Sequence, residues 1–265
     1  MESKDLIPAS LAHLGGRDFL TLASFTREEL SGFLRLAQRV KELQKGGIPH
    51  PLLAGKTLGL IFQKASTRTR VSFEVGIYQL GGHGLFLSSA DLQLGRGETI
   101  ADTAQVLARY LDGIMIRTFA QEDVEELAHY STVPVINGLT DLLHPCQALG
   151  DYFTMWERWG DLAGRRVVYV GDGNNMAHSL MLGGAIFGVH VVVISPPGYQ
   201  PAAAITDRSR QLAAKWGGEI TVTADIHAVA GADVIYTDVW ASMGQEAEQE
   251  VREEALRPYQ VNSSL

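Results

Sequence analysis

The segment 66–70, S-T-R-T-R, is the stretch whose side chains are best suited to bind a small, highly charged anion. It holds three hydroxyls and two guanidiniums, which donate hydrogen bonds to phosphate oxygens. The apolar run 57–62 before it predicts a strand, and the spacing of apolar residues in 71–80 predicts a helix. Free backbone N–H groups and the positive end of the helix dipole favour an anion at such a junction. The alternative is an ordinary helix cap with a solvated basic face.

The two arginines of this segment are expected to have different roles. Arg68 and Arg70 are two positions apart, so on a helix they point to nearly opposite sides and are poorly placed to hold one small ligand. Glu74 lies four positions after Arg70, which predicts an ion pair. Arg68 is therefore assigned to the ligand and Arg70 to the fold.

Strand-like and helix-like stretches alternate along the chain, as in parallel sheets covered by helices. Strands are predicted near 57–62, 83–87, 113–117, 133–136, 166–170, 189–194, 219–223 and 233–237. Helices are predicted from a capping box at Thr26 to about 44, and near 67–80, 98–111, 121–130, 144–159, 176–187, 202–216 and 225–230. The pattern predicts an α/β fold of two doubly wound parallel-sheet domains. Their expected bounds are 1–143 and 161–265, with 144–160 as a connecting helix.

A second group of candidates lies at the start of this connecting helix. His144 precedes Pro145, and the helix dipole biases a histidine there toward its neutral form, which still donates one hydrogen bond. Gln147 offers both a donor and an acceptor for an amide. A structural role for His144 remains the alternative. On a helix, the side chains of Cys146 and His144 point in different directions and cannot easily pair. Cys146 is therefore interpreted as a packing residue rather than a nucleophile.

Candidates in three other places follow predicted strands. Arg117 ends a buried strand, where it serves either a ligand or a structural ion pair. Asp238 ends the last clear strand and suits an ammonium group; a plain surface turn is the alternative. Asn174 and Asn175 follow a strand within G-D-G-N-N and suit an amino acid's polar groups. A nicotinamide cofactor is disfavoured there, because Met176 replaces the third glycine of the dinucleotide fingerprint.

Composition narrows the class of protein further. The formal charge of −8 and the absence of basic runs argue against nucleic-acid binding. No stretch is apolar for about 18 residues, so no membrane span is expected. Cys146 is the single cysteine, which makes the cytoplasm the default compartment. The histidines lack metal-ligand spacing, so neither a metal nor a cofactor is expected.

With these motifs in hand, the chain resembles the ornithine carbamoyltransferases, a branch of the aspartate/ornithine carbamoyltransferase family. The shared motifs are F-Q-K-A-S-T-R-T-R at 62–70, M-I-R-T-F at 115–119, H-P-C-Q at 144–147, D-G-N-N at 172–175 and D-V-W-A-S-M-G at 238–244. The first and third mark carbamoyltransferases generally. The S-M-G part marks the ornithine branch.

The resemblance implies two substrate sets and a reaction. Carbamoyl phosphate is expected to bind Ser66, Thr67, Arg68, Thr69, Gln93, Arg117, His144 and Gln147. Ornithine is expected to bind Leu139, Asn175, Asp238, Ser242 and Met243. The side-chain amine of ornithine attacks the carbamoyl carbon, giving citrulline and phosphate, with Arg68, His144 and Arg117 as catalytic residues. Gln93 matches a residue that reaches a neighbouring subunit, which implies a homotrimer, or a multiple of trimers, with shared sites. The implied role is in arginine metabolism.

One departure from the family's pattern concerns the end of the chain. The family carries an H-C-L-P segment after S-M-G, whose cysteine assists with ornithine, and then a closing helix. This chain ends in V-N-S-S-L at 261–265 before either. A C-terminally truncated form is therefore expected, which binds carbamoyl phosphate and turns over poorly or not at all. The alternatives are a non-catalytic binding form and a carbamoyltransferase for another amine, N-acylornithine or putrescine.

Overall fold

A computed structural model of the chain describes residues 6–88, 92–93, 97–240, 249–263 and 265. The chain divides into two units, Met1–Asp141 and Leu142–Leu265, and each has its own parallel sheet. No helix within these described stretches is long and apolar enough to cross a membrane.

The first unit alternates strands and helices after an N-terminal helix. Its elements are α1 Arg27–Lys45, β1 Thr57–Phe62, α2 Thr67–Gln79, β2 His83–Ser88, α3 Ile100–Leu107, β3 Gly113–Arg117, α4 Gln121–Tyr130 and β4 Val135–Leu139. The predicted capping box at the start of α1 is confirmed, because Thr26 Oγ1 accepts from the Glu29 N–H and Glu29 accepts from the Thr26 N–H.

The first sheet places the S-T-R-T-R segment at a topological switch point. Its strand order is β2-β1-β3-β4, so the chain leaves β1 toward one side and returns to its other side with β3. Phe62, the last residue of β1, is paired with Arg117, the last residue of β3. In open parallel sheets, ligands bind beyond the carboxyl ends of the strands at such a point.

Strands β1, β3 and β4 are mostly buried on both faces, which explains why they are almost continuously apolar. Ile61, Ile114 and Ile116 pack with residues of α3 and α4 on one face. Leu60 and Met115 belong to a cluster that includes Phe73 and Phe86. The alternation along β1 and β3 follows the two-residue period of a strand.

The second unit repeats the architecture with a different sequence. Its elements are α5 Pro145–Trp159, β5 Arg166–Val170, α6 Asn175–Phe187, β6 His190–Ile194, α7 Ala203–Trp216, β7 Glu219–Thr223, β8 Val234–Tyr236 and α8 Gln249–Leu256. The strand order is β7-β6-β5-β8, which puts a second switch point between β5 and β8. Helix α6 is buried along its whole length from Met176 to Phe187, as its apolar sequence requires.

An aspartate closes the amino-terminal edge of each sheet in the same way. Asp112, just before β3, accepts from the backbone N–H of Thr57 in β1 and pairs with Lys56 at 2.7 Å. Asp233, just before β8, accepts from the backbone N–H of Arg166 in β5 and pairs with Arg165 at 3.3 Å. We call each arrangement an aspartate clip.

The predicted α/β fold class is confirmed. The differences concern the ends of elements, the short helix predicted near 225–230, which is a 3₁₀ helix at Ile226–Val229, and the additional helix α8. Strand β4 begins at Val135 rather than 133, because Pro134 has no N–H to donate to the ladder. Helix α3 ends at Leu107. After it the backbone turns more tightly, because the N–H groups of Arg109 and Tyr110 donate to carbonyls three residues earlier rather than four. Helix α8 was not predicted, since its polar sequence has no clear apolar stripe.

Candidate functional site

The start of α2 presents hydroxyls and backbone N–H groups just beyond β1. Ser66 is the N-cap, and its Oγ accepts from the Thr69 N–H at 3.2 Å. The Ser66 O–H still has its own hydrogen to donate. The remaining N–H groups of the first turn lack partners within the helix and point toward the carboxyl edge of the sheet. The helix end thus supplies several donors for one anion.

The two arginines of this segment are separated as expected. Arg70 Nε is 2.9 Å from Glu74, and its guanidinium carbon lies 3.6 Å from the centroid of the Phe86 ring. The predicted Arg70–Glu74 ion pair is therefore confirmed. Arg68 has an exposed side chain and no ion pair with any residue that the structure describes.

Arg117 brings a second cation to the same place from the neighbouring strand. It is only 8% exposed, and one of its terminal nitrogens donates to Thr69 Oγ1 at 3.4 Å. Burial lowers the pKa of Arg117, and the positive charge of Arg68 lowers it further. Arg117 makes no ion pair within the described ranges, so the structural alternative for this residue lacks a partner. Two cations that repel each other at a helix N-terminus form an arrangement that an anion stabilises.

The loop that carries the segment is fixed by contacts that the sequence did not reveal. The N–H groups of Gln63 and Lys64 donate to the Arg117 carbonyl at 2.9 and 3.4 Å. Buried Lys64 pairs with Asp141 and lies 4.4 Å from the centroid of the Phe119 ring. Three loops at this edge are thereby joined. No local signal marks these partners, because Asp141 is 77 positions from Lys64.

Two further residues expected in the site lie elsewhere in the first unit. Leu139 is the last residue of β4, buried, and paired in register with Arg117. Gln93 is exposed and lies between two stretches outside the described residues. Its expected role toward a neighbouring subunit stays a prediction.

The carboxyl edge of the second sheet holds Asp238 through Asn174. Asn174 Oδ1 caps α6 by accepting from the N–H groups of Met176 and Ala177, and its Nδ2 donates to Asp238 Oδ2 at 3.1 Å. Tyr169 donates to the same Oδ1 at 3.2 Å. Asn175, the expected ornithine residue, is the first residue of α6 and half-buried. The sequence analysis did not identify Asn174 as the cap of α6 that also holds Asp238, although an asparagine just before a helix is typical of a cap.

Close packing accounts for Gly173 at this edge. A Cβ on Gly173 would lie 2.2 Å from the Pro201 nitrogen, so no side chain fits there. Asp172 forms an ion pair with Arg252 of α8 at 2.9 Å, and both side chains are largely buried. Ser242 and Met243, the other expected ornithine residues, lie outside the described residues.

His144 and Gln147 lie at the start of α5, in the second unit. The His144 backbone N–H donates to Ser179 Oγ at 2.8 Å, which fixes the residue before the helix. Gln147 is exposed, and its Nε2 donates to Asp151 Oδ1 at 3.0 Å.

Burial raises the pKa of the Cys146 thiol to about 12, which supports its interpretation as a packing residue. Within the described ranges, no cluster of histidine, cysteine and acidic residues could hold a metal ion.

The site residues therefore fall into two groups that the structure describes separately. In the first unit, Ser66, Thr69, Arg68 and Arg117 are brought to one sheet edge. In the second, Asn174, Asp238, Gln147 and Asp151 belong to one hydrogen-bonded and electrostatic network. The first group is suited to an anion and the second to polar and cationic groups.

Comparison with protein families also divides the chain into two parts, with the family boundary after α5 rather than before it. Residues 17–157 match the model "Aspartate/ornithine carbamoyltransferase, carbamoyl-P binding domain", and residues 163–265 match "Aspartate/ornithine carbamoyltransferase, Asp/Orn binding domain". Similar proteins include the ornithine carbamoyltransferase of Oceanobacillus iheyensis, 61% identical over 95% of this chain and 79% of the relative. The anabolic ornithine carbamoyltransferase of Pyrococcus furiosus is 58% identical over 95% of this chain and 80% of the relative.

Solved structures of such proteins share the fold. The ornithine carbamoyltransferase structure from Pyrococcus furiosus has a TM-score of 0.91 at 58% identity, and the match covers 95% of this chain and 80% of that one. The anabolic enzyme from Campylobacter jejuni has a TM-score of 0.86 at 39% identity, with 94% and 81% covered. The chain thus spans about four-fifths of the length of these relatives.

Proposed function

Since the chain belongs to the aspartate/ornithine carbamoyltransferase family, we propose that it transfers the carbamoyl group of carbamoyl phosphate to the side-chain amine of L-ornithine. The products are L-citrulline and phosphate. The observation that carries the proposal is the meeting of Arg68, Arg117 and the start of α2 at the switch point of the first sheet. The names of relatives that are about 60% identical favour ornithine over aspartate.

In the proposed complex, the phosphate lies at the N-terminus of α2. The hydroxyls of Ser66, Thr67 and Thr69 and the backbone N–H groups bind its oxygens, while Arg68 and Arg117 balance its charge. Two guanidiniums match the two negative charges of the phosphate. Arg117, which is buried, loses little side-chain freedom when it binds. On the family's pattern, His144 and Gln147 bind the carbamoyl part.

The proposed reaction is an acyl transfer in which a C–N bond to ornithine forms and the C–O bond to phosphate breaks. The free amine of ornithine attacks the carbamoyl carbon, and the electrons of the C=O bond move to its oxygen. Arg68 and His144 donate hydrogen bonds to that oxygen, as oxyanion-hole groups do, for roughly 2.7–4 kcal/mol per donor. The C–O bond to phosphate then breaks, and phosphate leaves with the electron pair toward Arg68 and Arg117. The new amide nitrogen loses its extra proton to solvent.

For the second substrate we propose Leu139, Asn175, Asp238, Ser242 and Met243. Asp238 is suited to the α-ammonium group of ornithine, because a carboxylate held by an amide donor stays available for a cation. Nα-acylornithine lacks that ammonium charge, whereas putrescine keeps the amine and lacks the α-carboxylate. Comparing these three amines as substrates tests the assignment, and the highest kcat/KM is expected for ornithine.

We also propose that copies of this chain assemble as a trimer and act in arginine synthesis in the cytoplasm. Support for assembly comes from α2, whose Val71, Val75 and Tyr78 are 52, 44 and 77% exposed on one stripe. An apolar stripe of this kind is typical of an interface. The word "anabolic" in the names of two relatives favours a biosynthetic role.

The decisive experiment measures carbamoyl phosphate binding by this chain and by the Arg68→Ala variant. The variant is expected to bind roughly 10- to 100-fold more weakly, because a charge-assisted hydrogen bond is lost. Arg70→Ala is the matched control, since the arginine two positions away pairs with Glu74 and should leave affinity within about twofold. Equal affinity of the Arg68→Ala variant and the unchanged chain would contradict the proposed site.

A second candidate function is binding of carbamoyl phosphate without turnover. It requires only the first unit, where Arg68, Arg117 and the start of α2 meet at one sheet edge. A citrulline assay separates the two functions when this chain is compared with a version extended by the family's H-C-L-P segment and closing helix. Turnover by this chain at a rate typical of enzymes supports catalysis, whereas turnover by the extended version alone supports the binding form.

A further inference from the structure

Hydrogen bonds within the second unit fix which end of the Gln147 amide faces outward. Gln147 and Asp151 are four positions apart on α5, so their side chains lie on the same face. Gln147 Nε2 donates to Asp151 Oδ1 at 3.0 Å, and the Tyr236 hydroxyl donates to Asp151 Oδ2 at 3.0 Å. Each oxygen of the carboxylate therefore has one donor, one from its own helix and one from β8.

The chemistry of the carboxylate decides the orientation of the amide. An ionised carboxylate can only accept hydrogen bonds, so the NH₂ end of Gln147 must face Asp151. The carbonyl oxygen of the exposed Gln147 side chain then points away, and no donor from the described residues reaches it. Gln147 consequently presents an acceptor to whatever binds there.

The carboxylate is itself held in place. The ring of Tyr236 stacks on that of Tyr169, with centroids 5.9 Å apart and an angle of 20° between the rings. The Asp151 side chain is half-buried between α5 and β8. Its contacts leave the carboxylate little freedom to release the amide.

We propose that Asp151 is a positioning residue, which turns the Gln147 amide so that its oxygen accepts a hydrogen bond from the NH₂ of the carbamoyl group. Asp151 thereby selects a carbamoyl over an acetyl group, which has a methyl in place of the NH₂. The inference rests on the proposed function, because it takes the ligand of Gln147 to be carbamoyl phosphate.

The electrostatic environment of Asp151 agrees with a role that needs its oxygens. Burial raises the pKa of Asp151, the hydrogen bonds from Gln147 and Tyr236 lower it, and the nearby charge of Asp238 raises it. A half-buried carboxylate close to a second one is unfavourable for folding unless its oxygens accept hydrogen bonds. Gln147 and Tyr236 donate these hydrogen bonds.

Two stable ligands that differ in one group allow a direct test. Phosphonoacetamide carries an NH₂ where 2-oxopropylphosphonate carries a methyl, and the rest of the two molecules is the same. The ratio of their dissociation constants, measured by calorimetry on the 265-residue chain, reports discrimination alone. The unchanged chain is expected to bind phosphonoacetamide roughly 10-fold more tightly. This is the effect of one hydrogen bond, from the NH₂ of the ligand to the Gln147 oxygen.

Two variants change which groups donate hydrogen bonds to the side chain at position 151. In Asp151→Asn, Tyr236 donates to the new amide oxygen, so the new NH₂ faces Gln147 and turns it around. The preference for the amide ligand should fall to about onefold or reverse. In the double variant Asp151→Asn with Tyr236→Phe, the asparagine is free to offer its oxygen to Gln147, and the preference should return.

A matched control uses another glutamine–acid pair of the same spacing. Gln38 donates to Glu42 on α1 at 3.1 Å, and Glu42→Gln should leave the ratio unchanged. An unchanged ratio in Asp151→Asn, or failure of the double variant to restore it, would overturn the positioning role while binding of phosphonoacetamide still supports the proposed function. If the unchanged chain binds neither ligand, the proposed function fails, and this inference fails with it.

Discussion

The Asn174 side chain joins a helix cap to the carboxylate of Asp238. Its Oδ1 accepts from the first turn of α6, and its Nδ2 donates to Asp238. Because the amide is used at both ends, its orientation is fixed, and Asp238 makes no ion pair with a cationic residue that the structure describes. The other acceptor positions of the Asp238 carboxylate remain available for an ammonium group.

Replacing Asn174 by aspartate separates these two tasks. Aspartate caps helices about as well as asparagine, so the melting temperature should fall less than in Asn174→Ala. The donor to Asp238 is lost and a like charge is added, so ornithine affinity is expected to fall roughly 10-fold or more. Calorimetry with ornithine measures this.

Its control is Asp225→Asn, a cap change in the same unit, where Asp225 accepts from the His227 N–H at 3.0 Å. That variant should bind ornithine as before. Equal losses of ornithine affinity in the two variants would show that the effect at Asn174 is general destabilisation.

Cys146 gives a prediction about pH. Burial raises the pKa of its thiol to about 12, so the thiolate fraction at pH 8 is roughly one in ten thousand. Iodoacetamide should therefore modify the folded chain slowly at pH 8, and faster as the pH rises toward 12. In denaturant, where an ordinary thiol has a pKa of about 8.5, modification at pH 8 should be rapid. Rapid modification of the folded chain at pH 8 would contradict the buried environment.

At the scale of elements, the aspartate clips stabilise the strand starts of both sheets. The hydrogen bond from Lys56 and that from the Thr57 N–H lower the pKa of Asp112. The Arg166 N–H and Arg165 lower the pKa of Asp233 in the corresponding way. A lowered pKa in the folded state means that the charged form stabilises the fold.

Asp112→Asn and Asp233→Asn should each lower the melting temperature at pH 7. The stabilisation is present above the unfolded pKa of about 3.9 and is lost as the pH falls through the lower folded pKa. The difference between variant and unchanged chain should therefore shrink as the pH falls below about 4. Thermal melts at several pH values measure it, with Asp207→Asn as the control, because the ion-pair partner of Asp207 among the described residues is the exposed Arg210. A difference that does not depend on pH would contradict the clip.

At the scale of the whole molecule, the apolar stripe on α2 should govern assembly. Val75→Glu places a charge in the middle of that stripe, so it should shift the proposed trimer toward smaller species without unfolding the chain, because Val75 is 44% exposed. Light scattering measures the mass in solution. Glu42→Gln on α1 leaves the stripe intact and should keep the mass of the unchanged chain. A trimer that persists in Val75→Glu would exclude this stripe as the interface.

The sequence was sufficient for features that depend on near neighbours. The strand-to-helix junction before Thr67, the capping box at Thr26 and the Arg70–Glu74 pair all follow from spacings of at most four positions. The apolar runs predicted the inner strands because both faces of those strands are largely buried. Helix ends were less certain, since polar stretches such as α8 depend on packing rather than on pattern.

Contacts between distant parts of the chain could not be predicted in this way. Tyr236 reaches Asp151 across 85 positions, and Arg252 reaches Asp172 across 80. Such pairs depend on the order of strands in the sheet, and the alternation of elements alone does not fix that order. The spacing of Gln147 and Asp151 was visible, yet without Tyr236 nothing marked that pair as more than a surface contact.

The aspartate clips have one more consequence, for how these units can change over evolutionary time. Each clip is at the amino-terminal edge of its sheet, whereas the proposed ligand residues that follow the strands are at the carboxyl edge, one strand length or roughly 17 Å away. Substitutions that alter ligand choice at one edge therefore leave the clip at the other edge untouched. A unit built in this way can acquire new substrates while its foldability is inherited unchanged.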